Sequence, residues 1–408
     1  MKKRPTLALH GGERLRTKPF PQWPPVPTEG ERAALLEVLD SGVWGSRDGT
    51  RGVEFARRFA ERHGVRFGVT VANATLGLFA ALRAAGVRRG DEVIIPPYTF
   101  VATATAVLLA GAVPVFADID SDSMLISPES IARRVTPKTS AVMPVHLGGA
   151  VADVDAIRAV IPPHVKIIED AAQALGAALR DRPAGSLGDL AVFSFQSSKN
   201  ITAGEGGIIV TDDEELHEAA WSVANVGRRR GGGWYEHPRV GWNLRLTEFQ
   251  SALLIGQLER LDESNARRTR ATHHLAALFG EKVPGARILP DPDSTTSHGR
   301  YLAVIRFEPA VFGGVTTQSL SEMLRAEGIP ASAGYPLLHR DRAIRDEALS
   351  ISPDAAAQDC PVAEAVCPLT VWLPQNVLLA DESDLADITD AFAKIQAALG
   401  HTEGDGQP

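Results

Sequence analysis

The chain has 408 residues, 44% of them hydrophobic and 23% charged, with a formal net charge of -8. That is globular composition with room for one large and one smaller domain, and the acidic balance argues against a nucleic acid or an anionic membrane as partner. Cys360 and Cys367 are too few for a disulfide framework and their CPVAEAVC spacing fits no common zinc pattern, so they read as structural thiols in a reducing cytoplasm and no metal site is expected.

In chain order, residues 1–26 are rich in proline and polar residues and read as an extended arm. The start "MKKRPTLALHGG" lacks the apolar run of a signal peptide, and no apolar stretch approaches a membrane span. Helical spacing predicts helices over 29–41 and 51–63, the second turning Val53, Phe55, Phe59 and Ala60 to one side and stopping at Gly64. Strands and helices then alternate. Apolar runs predict strands at 67–71, 92–96, 113–119, 140–145, 165–170, 190–195 and 207–211, with helices at 74–86, 100–110, 127–135 and 154–161 between them. Near-continuous apolar strands are expected where helices cover both faces of a mostly parallel sheet, so the fold class is α/β. A long, broken helix is predicted over 247–279. It is followed by a strand at 301–307, a helix at 317–328, a strand at 371–374 and a last helix at 381–399, a smaller α+β domain. The expected divisions are an arm at 1–26, a large domain at 27–255, a small domain at 256–400 and a disordered tail at 401–408.

The stretch "FSFQSSKNITAGEGG", Phe193–Gly207, puts a lysine just past a strand end. The chain holds eight lysines against 34 arginines, so lysine is its unusual cation. An amine can shed its proton and form a Schiff base, which a guanidinium cannot. Twenty-nine residues earlier, "VKIIEDAAQALGA" ends another apolar strand in Glu169 and Asp170, which point to opposite faces of that strand. One of these carboxylates and Lys199 form a pair suited to a cofactor with a pyridine nitrogen and an aldehyde. In "FGVTVANATLGL" the helix start at Ala74 and Thr75 offers free N–H groups and a hydroxyl, an anion site suited to phosphate, to which Ser194 can add a second hydroxyl.

Four segments carry a family resemblance: "IIEDAAQALGA", "GDLAVFSFQSSKNITAGEGG", "PPYTFVATATAVLLAGAVPVFADID" and "VGWNLRLTEFQSALLIGQLERLDE". In this order they resemble the pyridoxal-phosphate (PLP) aminotransferases of the DegT/StrS sugar and cyclitol family, fold type I. The resemblance spans about residues 8 to 398. It implies Lys199 as the Schiff-base lysine and Asp170, rather than Glu169, as the partner of the pyridine nitrogen. It implies Gln173 near the ring's oxygen substituent, Ala74, Thr75 and Ser194 around the phosphate, and Phe100 stacked on the ring. Asn243 is implied to reach the phosphate of a neighbouring subunit, hence a homodimer with shared sites. One departure is Ala74, where many relatives have glycine.

Weaker signals surround these. The charged, glycine-rich "NVGRRRGGGWYEHPRVGW" reads as a solvated turn or as a flap over a neighbouring site, where Tyr235 and His237 are candidate substrate contacts. His146, in "PVHLGG", is a structural histidine or a substrate contact. The expected function is amino transfer from glutamine or glutamate to an inosose-type keto-cyclitol or keto-sugar, in aminocyclitol, amino-sugar or antibiotic biosynthesis. The alternatives are a nucleotide-sugar aminotransferase, an aminohydroxybenzoate-synthase-like enzyme and, outside catalysis, a PLP-binding regulator. Lysine at 199 argues against the family's dehydratases, which carry histidine there.

Overall fold

A computed structural model describes residues 4–399 except 354, 356 and 357. The expected tail at 401–408 lies outside the described residues. Seven strands form the central sheet in the spatial order Phe67–Val71, Gly207–Thr211, Leu190–Ser194, Lys166–Asp170, Thr139–Val142, Glu92–Ile95 and Val113–Phe116. All run parallel except Gly207–Thr211, which is antiparallel to both neighbours. That reversal follows from a short return: Leu190–Ser194 and Gly207–Thr211 are joined by the loop that carries Lys199, with Ser194 opposite Gly207.

The inner strands Leu190–Ser194 and Gly207–Thr211 bury both faces, as continuous apolar runs require. Val192 and Ile209 enter one core with Ile94, Val142 and Ile167. Phe193, Ile208 and Val210 enter another with Phe55, Phe59 and Phe195. Phe55 and Phe59 come from the helix Arg51–Arg62, and both are fully buried. Val53 does not join them; it is 68% exposed. At about 100° per residue it lies some 200° around the helix from Phe55, on the outward side.

The broken helix divides at Arg260 into Glu248–Glu259 and Leu261–Lys282. Beyond it a three-stranded antiparallel sheet sets Leu302–Phe307 between Ala286–Ile288 and Thr370–Pro374. Phe279, Ile305, Phe307, Leu324, Leu373 and Phe392 form its core, under the helices Leu261–Lys282, Thr317–Glu327 and Glu382–Leu399. Sequence periodicity gave no sign of the helices Glu214–Ala224 and Arg342–Ile351, both capped by an aspartate at the preceding position.

The arm is more than an extended strand of chain. Glu327, fully buried, accepts the N–H groups of Ala8 (2.9 Å) and Leu15 (3.1 Å). Arg16 is also buried and pairs with Asp384 and Asp387. Further on, the Trp23 indole N–H donates to the carbonyl of Lys199 (3.1 Å), so the arm touches the loop of interest.

Candidate active site

Parallel strands deliver their carboxyl ends to one side of the sheet, and there the chain forms a cleft of about 810 Å3. Ala74, Thr75, Phe100, Asp170, Gln173, Ser194 and Lys199 all line it.

Asp170 ends its strand and is 5% exposed. Its Oδ2 accepts from the Thr103 hydroxyl (2.8 Å) and its Oδ1 from the Ala172 N–H (3.3 Å). Burial pushes its carboxyl above the ordinary aspartate value, while those two bonds and the Lys199 charge pull the other way. A buried carboxylate facing an open cleft is poised for a cationic partner. Glu169, one residue earlier, turns to the opposite face. Its Oε2 takes the His146 ring nitrogen (2.8 Å) and the Gly185 N–H (2.9 Å), and its Oε1 the N–H groups of Leu187 (2.9 Å) and Gly188 (2.7 Å). Burial alone raises its carboxyl, but His146 and the backbone donors outweigh that and hold it below the ordinary glutamate value. His146 is itself fully buried, and its Nδ1 accepts from the Ala152 N–H (3.2 Å). It is therefore a structural histidine that braces Glu169, and the reading of it as a substrate contact is corrected: both ring nitrogens are spent inside the fold.

The loop after Ser194 is fixed at almost every residue. The Gln196 side chain caps Ser198 (2.8 Å), the Lys199 N–H donates to the Gln196 carbonyl (2.9 Å), and Gln257 brackets both backbone groups of Thr202. Lys18, Lys166, Lys282 and Lys394 are each paired with a carboxylate. Lys199 instead holds its amine 4.0 Å from the centre of the Tyr301 ring.

At the other end of the cleft the helix Ala74–Ala84 begins. Its N-cap Asn73 accepts the Leu76 N–H (2.9 Å), so the N–H groups of Ala74 and Thr75 precede any intrahelical partner. Gly207 is packed against this start: a Cβ there would come within 2.9 Å of the Ala74 nitrogen. Only glycine allows the neighbouring strand to approach that closely, which brings Ser194, paired with Gly207, beside the helix start.

Gln173 accepts the Gly148 N–H through Oε1 (2.7 Å), and its amide nitrogen lies 3.4 Å from the Tyr335 hydroxyl. Phe100, 54% exposed, presents its ring to the cleft beside Tyr335 at 5.9 Å between centroids. Sequence reading missed Thr103, Tyr301 and Tyr335. Tyr301 begins the strand expected at 301–307 and so reads as a strand residue, though the strand itself starts at Leu302; Thr103 and Tyr335 carry no local signal, since what matters is what they face.

Asn243, Tyr235 and His237 do not line this cleft. Asn243 is exposed, pairs across a bridge with Asn225 and precedes the helix at Glu248 by five positions. Tyr235 is 85% exposed, and the His237 Nδ1 lies 2.9 Å from the Val226 carbonyl. The flap's Arg228, Arg230 and Trp234 line a different cleft of about 400 Å3, with Arg47, Arg66 and Arg245, along the outer edge of the Phe67–Val71 strand. Among the described residues no group of three His, Cys, Asp or Glu side chains could hold a metal ion, and no helix is long and apolar enough to cross a membrane.

The residues present fit PLP. A buried carboxylate, an amine, a helix start with two hydroxyls and an exposed aromatic ring share one cleft of adequate size. Comparison with known proteins agrees. The chain is 39% identical to L-glutamine:2-deoxy-scyllo-inosose aminotransferase of Micromonospora echinospora, over 96% of this chain and 98% of that protein. Among solved structures, 3-amino-5-hydroxybenzoic acid synthase superposes with a TM-score of 0.85 at 35% identity, covering 94% and 99% of the two chains. DesI, solved in the presence of its TDP-sugar product, gives 0.86 at 31% identity over 96% of each. The DegT/DnrJ/EryC1/StrS aminotransferase family model matches residues 26–393, and the chain belongs to that family of PLP-dependent aminotransferases.

Proposed function

We propose that the enzyme transfers an amino group from glutamine or glutamate to an inosose-type keto-cyclitol, or a closely similar keto-sugar, in the biosynthesis of an aminocyclitol, amino sugar or antibiotic. The observation that carries the choice of ketone is the lining of the cleft. Around Lys199 and Asp170 it offers Thr99, Gln173, Gln196, Ser198 and Tyr335, and among the described residues no arginine lines it. Hydroxyl and amide groups suit a neutral polyol ring, whereas a nucleotide diphosphate calls for guanidinium or ammonium partners. The arginines of the flap line the separate cleft, so a nucleotide-sugar substrate finds no cationic clamp in its own chain.

When bound, PLP supplies an aldehyde that receives the amino group and a ring that accepts electrons. Asp170 would hold the ring nitrogen in its protonated form, and Thr103 fixes the carboxylate that would do so. The Ala74 and Thr75 N–H groups with the Thr75 and Ser194 hydroxyls would bind the phosphate, Phe100 would stack on the ring, and Gln173 would lie near the ring's oxygen substituent. Lys199 would hold the cofactor's aldehyde, and its Nζ is the group on this chain that would accept and return a proton in the cleft.

Residues 27–255 act as the PLP-binding domain and 256–400 as the smaller domain. The protein works in the cytoplasm as a homodimer, with Asn243 reaching the partner's phosphate site and Tyr235 and His237 shaping the partner's substrate pocket. Support comes from large apolar side chains exposed on the single chain, Trp44, Val53, Trp234, Tyr235 and Val240 among them. The test is a two-stage reaction. The PLP-loaded enzyme is exhausted with glutamine until the visible absorbance is lost, then offered 2-deoxy-scyllo-inosose or a TDP-keto-sugar. The inosose should restore the absorbance faster; faster recovery with the nucleotide sugar overturns the ketone assignment.

A further inference from the structure

The segment that brings Tyr301 to Lys199 is built under constraint. Arg300, immediately before it, sits in the left-handed region at φ 48 without being glycine. It is 4% exposed and pairs with Asp291, and its N–H donates to the His298 ring (2.9 Å). On either side the backbone is tied down: the Gly299 N–H donates to the Gly149 carbonyl (2.9 Å) and the Tyr301 N–H to the Gly148 carbonyl (3.0 Å). The Gly299 carbonyl accepts the side-chain amide of Asn200 (2.6 Å), the residue after Lys199. Gly299 also lies against the backbone of Gln173 and Ala174, where a Cβ would meet atoms at 3.1 Å. A strained residue held by several surrounding contacts is a pointer to function. Here the strained turn stands between the two segments that bear Gln173 and Lys199, and it aims one ring at one amine.

That ring is fixed at both ends, by the backbone bond to Gly148 and by its hydroxyl, 2.9 Å from the Ser198 Oγ. Its face lies 4.0 Å from the Lys199 Nζ. The other described lysines that form ion pairs rest on carboxylates, whose full charge would hold an ammonium tightly. An aromatic face attracts the amine more weakly and offers no acceptor that would keep it from returning to the cleft.

We propose that Tyr301 is a positioning residue for Lys199: its ring is the resting place of the amine whenever the lysine is not joined to PLP. This rests on the role given to Lys199 above. The ring keeps the freed amine at the wall of the cleft that would hold the cofactor. Ser198 sets the tilt of the ring, while the contact itself belongs to the ring face.

The experiment compares Tyr301→Phe and Tyr301→Leu with the wild type. The full-length chain is stripped of PLP, and the rate at which added PLP acquires its bound absorbance is followed. The Leu variant should capture PLP about fivefold to tenfold more slowly, the range that one cation–π contact supports, and the Phe variant should stay within about twofold. In the loaded enzyme, single turnover with glutamine should show the same pattern in the limiting rate, with the half-saturating glutamine concentration unchanged. A purely structural role would not spare the limiting rate in Phe while lowering it in Leu at unchanged saturation. Tyr301→Trp keeps an aromatic face and serves if the Leu variant does not fold; capture like that of the wild type is then expected, and a loss equal to that of Tyr301→Ser overturns the inference. Equal rates in Leu and wild type, or equal losses in Phe and Leu, also overturn it. Borohydride reduction and peptide mapping of the same wild-type preparation separates the two readings. A label on Lys199 with no effect of Tyr301 removes this inference alone; a label elsewhere removes the role of Lys199 with it.

Discussion

The hydroxyl of Thr103, in the first turn of the helix Ala102–Leu109, donates a 2.8 Å hydrogen bond to Oδ2 of Asp170. The Thr99 hydroxyl lies 3.0 Å behind it. The buried carboxylate proposed to face the ring nitrogen is thus held by a short chain of hydroxyls. Asp170→Asn should lower turnover by at least the 10²–10³, roughly, that one strong electrostatic contact supplies. Thr103→Val should lower it by about tenfold, from the loss of one hydrogen bond to a charged group. Steady-state rates within about threefold of wild type for Asp170→Asn would refute its role.

Lys199→Ala and Lys199→Arg should both abolish transamination and the visible absorbance of bound PLP, with the fold intact by circular dichroism. Arginine keeps the charge but not the removable proton, so its failure separates chemistry from electrostatics. A Lys199→Arg enzyme that turns over would reject the assignment.

Mixing tests the shared site. A heterodimer of Lys199→Ala and Asn243→Asp chains should carry both defects in one site and leave the other intact, so activity should recover towards one good site per heterodimer. If Asn243 serves its own chain, each site keeps one defect. Proven subunit exchange without recovery would then exclude the partner's phosphate as its target.

Glu169 is predicted to matter for folding rather than chemistry. Glu169→Leu leaves His146 and the N–H groups of Gly185, Leu187 and Gly188 without their acceptor, and should cost about 3–5 kcal/mol, as breaking a buried pair does. Urea unfolding measures this. An unchanged midpoint alongside lost activity would place Glu169 in the catalytic machinery instead.

The pH dependence of stability should show buried histidines. His63 is fully buried against Phe59 and Phe193, and burial lowers its pKa to about 4 from 6.5. Between those values the unfolded chain binds a proton that the folded chain refuses. Stability is therefore full above pH 6.5 and falls as the pH drops towards 4, by up to about 3 kcal/mol from this residue. His217 and His298, lowered to about 4 and about 3 by burial, act in the same direction. In His63→Phe the fall across this window should be shallower by about one proton; an identical slope would remove His63 from the account.

The sequence by itself determined the order of the central strands and of most helices between them, because continuous apolar runs and 3.6-residue spacing are local properties. It determined that a carboxylate ends one strand and a lysine follows shortly after another, and its motifs carried the family. It also placed Asp170 and Glu169 on opposite faces, since side chains alternate along a strand. Alternation alone left open which face is the cleft, and the resemblance pointed to Asp170; the structure supplies the neighbours, Thr103 for Asp170 and His146 with three backbone N–H groups for Glu169. Tyr301, 102 positions from Lys199, carried no signal, because a strained turn at Arg300 and packing on Gly148 bring it there. Val53 was misplaced for a related reason: apolar character alone does not say which side of a helix has a partner. Local pattern sets what each segment becomes. Which side chains meet is decided by closure of the sheet and the packing of distant segments, a property of the whole chain that no window of the sequence contains.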